Sequence, residues 1–269
     1  MDKEAFSRRS AVGSESSVVR EHYLCRVLGT TVVTVADAHL GAAPPEVSDA
    51  FLRFLAAVPS LGDALLINGD LFDFWFCYRH VMPRHGFRVA AALAELRKRV
   101  PIAIVGGNHD RWGDDFWERE LGARYHPREL HFRIGNRMTL AIHGDGLTDT
   151  RRSARVLNTI LGSDAALAVF RLLHPDLAHR LVLRMQPMLG ENDRSASARV
   201  QAFAQQEAWA RRRLGREPGT GLLIMAHTHH AAVAELAPGQ HYLNPGAWFD
   251  GFRYAVATET GAELKTFTG

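Results

Sequence analysis

Cysteine is nearly absent, with only Cys25 and Cys77 in 269 residues. Two thiols exclude a disulfide framework and a thiolate metal cluster, and they fit a reducing, cytoplasmic compartment. No uncharged run of about 20 apolar residues occurs, so no membrane span is expected. The opening residues MDKEAFSRRSAVGSESS lack an apolar stretch, which argues against a secretory signal or anchor. Neither a Gly-x-Gly-x-x-Gly fingerprint nor a P-loop is present, which speaks against a nucleotide cofactor and kinase-type chemistry. Charge of one sign is scarce as well. The formal net charge is only +3, so no strong global pull toward nucleic acid exists and none is expected as a partner.

What is present reads as an ordinary globular chain, 46% hydrophobic and 23% charged. Residues 1–20 are polar and Ser-rich and are expected to form a mobile tail. The β-rich run TTVVTVA then ends at Asp37, a helical pattern spans 46–58, and ALLIN (64–68) ends at Gly69-Asp70. Residues 87–100 repeat apolar positions at helical spacing, and PIAIVGG (101–107) ends at Asn108. This βαβαβ order predicts parallel strands covered by helices. HFRIGNRMTLAIHGD supplies two runs split by Gly135-Asn136, a hairpin signal, and short strands with Gly/Pro turns follow 221. The prediction is an α/β core with a substantial antiparallel part in two packed sheets.

The stretch 148–217 contains no convincing strand and is read as a helical cap inserted between core segments 21–147 and 218–269. Within 149–216, twelve arginines face six acids with no lysine, a local net charge of +6.

Five short motifs stand at predicted strand ends: Asp37-Ala-His39, Gly69-Asp70-Leu-Phe-Asp73, Gly107-Asn108-His109-Asp110, His143-Gly-Asp145 and His227-Thr-His229. Singly each is weak, because a strand-end Asp often caps a helix and a lone His is usually a packed one. Together, at the carboxyl ends of strands where α/β ligands gather, they point to one site. A phosphate ester repels nucleophiles, and two divalent ions about 3.5–4 Å apart answer that by binding its oxygens and acidifying a water. Oxygen ligands suit phosphate chemistry, and imidazoles tune such a site toward transition metals. Asp70 is the candidate bridge. Asp37, His39 and His229 complete one ion site, and Asn108, His143 and His227 the other. His109 is left beside the substrate to protonate a leaving oxygen or to stabilise phosphoryl charge. Asp110 is expected to orient its ring, and Asp73 and Asp145 are further supporting groups. The run Phe72, Phe74, Trp75, Phe76 is read as core packing, Asn244-Pro245-Gly246 as a structural turn, and His126, His131 and His230 as surface or packing residues.

In this order the motifs resemble the calcineurin-like metallophosphoesterase superfamily. The resemblance implies a four-layer αββα sandwich with a dinuclear centre, commonly manganese in bacterial members. NGDLFDFWF, GGNHDRW, AIHGDGL and LLHPDLAHRL are further similar to UDP-2,3-diacylglucosamine diphosphatases of lipid A assembly. That likeness implies hydrolysis of the pyrophosphate of a UDP-linked diacylated sugar to UMP and the acylated sugar 1-phosphate. It also implies a cytoplasmic enzyme peripheral on the inner membrane. The best-studied branch carries Arg where this chain has His109. Arg151, Arg152 and Arg155 are the expected anion-binding residues of the cap, since guanidinium forks match phosphate. The rival readings are a metallophosphoesterase acting on another phosphodiester or phosphomonoester, and a non-catalytic scaffold of the same fold. The scaffold would be expected to have lost ligands, whereas here every expected position is filled.

Overall fold

The computed structural model describes residues 26–78, 80–113, 115–147, 168–185 and 196–269. In chain order the elements are β1 (Val27–Gly29), β2 (Thr31–Val35), α1 (Pro45–Leu61), β3 (Ala64–Asn68), α2 (Phe87–Arg97), β4 (Ile102–Val105), α3 (Phe116–Arg119), β5 (Arg124–His126), β6 (Glu129–Ile134) and β7 (Arg137–Ile142). They continue with α4 (Pro175–Met185), α5 (Ala196–Arg216), β8 (Leu222–Ile224), β9 (Ala232–Ala237), β10 (Gln240–Asn244), β11 (Arg253–Thr258) and β12 (Ala262–Thr266). The expected tail 1–20 lies outside the described residues, as do Arg151, Arg152 and Arg155.

Two six-stranded sheets form, one ordered β12-β11-β2-β3-β4-β5 and the other β1-β6-β7-β8-β10-β9. In the first, β2, β3, β4 and β5 are parallel neighbours, and β11 closes against β2 antiparallel. The βαβαβ pattern explains the parallel half. The hairpin β6-β7 turns at Gly135-Asn136, where Ile134 faces Arg137 and Gly135 takes φ +56°. Strand β1, parallel to β6, had no separate signal in the sequence.

Side-chain alternation sorts the core into three slabs. Val33, Val35, Leu65, Ile67, Ile102 and Ile104 face α1 and α2, where Phe51, Phe54 and Trp248 are fully buried. Val32, Leu66 and Val105 point the other way and meet Phe132, Ile134, Leu222 and Leu243 of the second sheet. Both faces of β2, β3 and β4 are therefore covered, which explains their continuous apolar runs. The outer face of the second sheet packs Leu140, Leu223, Met225 and Tyr242 against Ala210 and Leu214 of α5. Helices, sheet, sheet, helix is the four-layer α/β arrangement. Each fully buried Phe or Leu contributes roughly 1.5–3 kcal/mol by leaving water.

The cap reading changes at its carboxyl end. Helix α5 falls within 148–217, yet from Phe203 onward it is a layer of the sandwich, because Gln206, Ala210 and Leu214 recur at four-residue spacing and are buried. Helix α4 is more exposed, with Leu177 and Leu181 open to solvent. No described helix is long and apolar enough to cross a membrane.

Candidate metal centre

Every motif residue sits just past a strand terminus: Asp37 after β2, Asp70 after β3, Asn108 after β4, His143 after β7 and His227 after β8. Because β2, β3 and β4 belong to one sheet and β7 and β8 to the other, the two layers converge their ends on one spot. Asn68, the last residue of β3, fastens them there. Its side-chain amide donates to the Ile142 carbonyl at 3.2 Å, and its own carbonyl lies 2.9 Å from His143 Nδ1.

The backbone leaves β geometry abruptly. Asp37, His39, Asp70, His227 and His229 all have φ between +45° and +69°. Non-glycine residues rarely adopt this left-handed region, which costs of order 1–3 kcal/mol each and persists where surrounding structure dictates it. Here the surroundings are explicit. The Ala38 and His39 amides both donate to the Asp70 carbonyl, at 2.8 and 3.0 Å, and the Asp37 amide donates to the Gly69 carbonyl at 3.1 Å. The His227 amide donates to Asp37 Oδ2 at 3.1 Å. The motif glycines serve close approach. A Cβ on Gly69 would run into the His143 ring, and one on Gly107 into the Asp70 carboxylate.

Three groups of side chains emerge whose ligating atoms lie within 4.8 Å of one another: Asp37, His39 and His229; His39, Asp70 and His109; and Asp70, His143 and His227. Asp70 is the shared member of the last two. Its Oδ2 lies 3.1 Å from His143 Nε2 and 3.9 Å from His39 Nε2. Asp37 Oδ1 lies 3.4 Å from His229 Nε2 and 4.0 Å from His143 Nε2. A cavity of about 280 Å³ opens over this set, bounded by Asp73, His109 and Phe249 and by the apolar Ala42, Ala43 and Pro44.

Charge follows from burial. Asp37 and Asp70 are at most 1% exposed. Burial alone would push both carboxyls up, but His229 and His143 hold Asp37 below the ordinary range, and His143, His109 and His39 hold Asp70 well below it. Burial would lower His143, yet the Asp70 and Asp37 carboxylates dominate and raise it to about 10. The ensemble therefore keeps two buried carboxylates ionised, as hard oxygen ligands must be. The donor set fits divalent ions by a second observation. Asp37 Oδ1 and His39 Nε2 are buried and make no hydrogen bond within the protein.

The supporting residues differ partly from expectation. The sequence points to Asp110 as the group that orients the His109 ring, but its carboxylate is directed at backbone. It accepts from the Gly107 amide at 2.8 Å, the Leu71 amide at 2.7 Å and the Asp70 amide at 3.2 Å, locking two motif loops together. The ring of His109 instead has Nδ1 2.6 Å from the Asp73 carbonyl, which fixes that nitrogen as the donor. The His109 amide donates to Asp70 Oδ1 at 3.0 Å. The Asp73 carboxylate lies 3.8 Å from His39 Nδ1, and Asp145 is ion-paired with Arg111. The aromatic run packs as expected, with Phe72 and Trp75 stacked at 4.6 Å. Asn244 Oδ1 accepts from the Gly246 amide, so the Asn-Pro-Gly turn is structural. His126 accepts two local amides, and the His230 ring lies 4.2 Å from that of Phe203.

Sequence reasoning missed Phe249, whose ring meets those of His39 and His229 edge-on at 5.5 and 5.1 Å. It also missed Gln206, although a lone amide in line with the half-buried Phe203 and the buried Ala210 and Leu214 was a readable signal.

The sequence profile of the calcineurin-like phosphoesterases matches residues 30–231. The chain belongs to the calcineurin-like phosphoesterase family. As a member of it, the protein is a metal-dependent phosphoester hydrolase, and the family implies divalent ions at the His/Asp cluster. A UDP-2,3-diacylglucosamine hydrolase of Porphyromonas gingivalis is 28% identical over 250 residues, which cover 86% of this chain and 95% of that protein. The protein of the same name from Escherichia coli O157:H7 is 29% identical over 236 residues, covering 87% and 97%. Among solved structures, the Escherichia coli phosphoesterase YfcE aligns over 88% of this chain and all of its own, with 15% identity and a TM-score of 0.41.

Proposed function

We propose that this calcineurin-like phosphoesterase hydrolyses the pyrophosphate of a UDP-linked 2,3-diacylated glucosamine, releasing UMP and the acylated sugar 1-phosphate. The observation that carries the reading is the pair of ligand groups sharing Asp70, met in a chain whose relatives bear the name UDP-2,3-diacylglucosamine hydrolase over nearly their full length.

Asp37, His39 and His229 would hold one divalent ion and Asn108, His143 and His227 the second, with Asp70 the candidate shared ligand. The ions would be manganese, as the resemblance to bacterial members of the family implies. When bound, such a pair supplies Lewis acidity toward the phosphoryl oxygens and lowers the pKa of water. The remaining chemistry belongs to the chain. His109, anchored through Nδ1 on the Asp73 carbonyl, would, as an imidazolium, give its Nε2 proton to the departing phosphate oxygen and be left neutral, or stabilise charge on the phosphoryl group. Ala42, Ala43, Pro44 and Phe249 form an apolar wall on one side of the cavity.

The part of 148–217 ahead of Phe203 would supply the lipid-facing part, with Arg151, Arg152 and Arg155 meeting the anionic headgroup. Exposed Leu177 and Leu181 on α4, beside Arg180 and Arg184, support a peripheral seat at the cytoplasmic face of the inner membrane.

The deciding assay supplies manganese and the UDP-linked diacyl sugar and reads UMP, with bis-nitrophenyl phosphate in parallel. Turnover of the lipid substrate, abolished in Asp70→Asn, is the expected result. Cleavage of the nitrophenyl ester with no UMP released would replace the lipid substrate by another phosphodiester. Absence of both metal and turnover would favour a scaffold.

A further inference from the structure

Among the described side chains of α5, Gln206 is the polar one that is fully buried, and it meets buried polar neighbours. Gln206 is 0% exposed and lies in line with buried Ala210 and Leu214, and a hydrophobic residue in its place would remove an acceptor from the buried groups around it. Its amide is held at both ends. Nε2 donates to the Ala226 carbonyl at 2.8 Å. Oε1 accepts from Tyr242 Oη at 2.7 Å, Thr228 Oγ1 at 3.3 Å and Asn244 Nδ2 at 3.3 Å.

Ala226 immediately precedes His227, and its own amide donates to the His143 carbonyl at 2.9 Å. The peptide that launches the His227-Thr228-His229 loop is thus gripped on one side by the His143 strand and on the other by Gln206. The loop then passes through φ +69° at His227 and +58° at His229. Gln206 also explains the middle residue of His143-Gly144-Asp145. A Cβ on Gly144 would meet Gln206 Nε2 at 2.5 Å, so glycine there makes room for the amide.

We propose that Gln206 is a positioning residue for the metal centre, holding the His227–His229 loop in its left-handed conformation and setting His227 against His143 and Asp70. It makes the seating of α5 a determinant of ion affinity. The inference rests on the metal-ligand reading of His143, His227 and His229.

The test uses the full chain with manganese and cobalt. Gln206→Leu keeps the volume and removes every hydrogen bond; Gln206→Glu keeps an acceptor oxygen for Tyr242 and loses the donor to Ala226. Leu214→Ala loosens the same helix without touching the network and serves as a control for lost stability. Manganese affinity is read from the free-ion magnetic resonance signal, and ligand geometry from the visible bands of the cobalt form. Either Gln206 variant is expected to bind at least one ion about tenfold more weakly, with altered cobalt bands, the scale typical of groups that orient ligands. Leu214→Ala should lower Tm yet leave both readouts within about twofold of the parent. Gln206 variants that match the parent, or a control that loses affinity equally, overturn the proposal. Should Gln206→Leu not fold, Gln206→Glu alone decides by the same two readouts. A parent protein that binds no manganese would instead sink the metal-ligand reading itself.

Discussion

Replacing Asp110 separates a backbone role from a chemical one. Its carboxylate is 2% exposed and accepts from the amides of Gly107, Asp70 and Leu71, so Asp110→Ala leaves three buried donors without an acceptor. Each orphaned donor costs about 1–3 kcal/mol. Two effects reduce the total. Water can enter the space left behind, and removing the carboxylate relieves the repulsion from Asp70 that, after burial, pushes Asp110 upward in pKa. The net loss should be about 3–5 kcal/mol, a large share of the roughly 5–15 kcal/mol that holds a domain together. Asp110→Asn keeps one acceptor but turns an NH2 toward an amide, and should lose about 2–4 kcal/mol. Urea unfolding of chelator-treated protein measures this directly. With a slope near ~3 kcal/mol per molar, the Ala midpoint should fall by about 1 M or more at unchanged slope. An unshifted midpoint accompanied by lost activity would refute the reasoning and return Asp110 to the reaction, as the orienting partner of His109.

Four further outcomes follow from the same geometry. Asp70→Asn should lower kcat at least about 100-fold and reduce bound metal measured by elemental analysis, because Asp70 belongs to two of the three candidate ligand groups; full occupancy in the variant would count against a bridge. His109→Ala should cut kcat about 100-fold or more with metal content unchanged, as for a lost proton donor, and a fall in metal content would reassign it as a ligand. Gly107→Ala forces a Cβ to 2.6 Å from the Asp70 amide nitrogen and should cost about 3 kcal/mol or more, read as a lower Tm in metal-free protein. Asp63 provides a pH signature. Partial burial would raise its pKa, but hydrogen bonds from Thr30 and Thr31 outweigh this and hold it below 3.8. A depressed folded pKa gives stability that is complete well above 3.8 and is lost as pH falls through the folded value. Because the group is largely solvent-exposed, the gain is only a few tenths of a kcal/mol. Asp63→Asn should therefore lose stability at pH 7, and the gap to the parent should close as pH falls from above 3.8 through the folded value; a constant gap across that range would exclude the linkage.

Much of the site was legible because strand ends are punctuated. Continuous apolar runs such as ALLIN and IAIV mark strands covered on both faces, and the Asp, Asn and His residues that follow them are too polar to continue inward. Where the chain must exit β geometry, those residues converge. Two kinds of detail were not legible. Backbone partners leave no mark on residue type: the carbonyl of Asp73 orients His109, and three amides claim Asp110, whereas the sequence suggested a side-chain pair between neighbours. Long-range packing is equally silent. Nothing near Ala196–Arg216 announces that this helix leaves its surroundings to cover Leu140, Leu223 and Tyr242, although the stripe of Gln206, Ala210 and Leu214 carries the trace of it.

The left-handed residues and the buried charges point to one physical strategy. Five ligand candidates occupy a backbone region that side chains avoid, and two ionised carboxylates, Asp37 and Asp70, lie in a common buried site where each disfavours the other's charge. A fold does not retain such features for stability, since each costs free energy that an apolar residue in a relaxed conformation would not. They persist because neighbours over-determine them: the Asp70 carbonyl takes the Ala38 and His39 amides, Asp37 takes the His227 amide, and Asp110 takes three more. The strain is thereby met when the chain folds rather than when a ligand arrives. Divalent charge at this point would relieve the repulsion between Asp37 and Asp70, so ligands whose left-handed backbone is costly in the metal-free protein would meet the ions already placed.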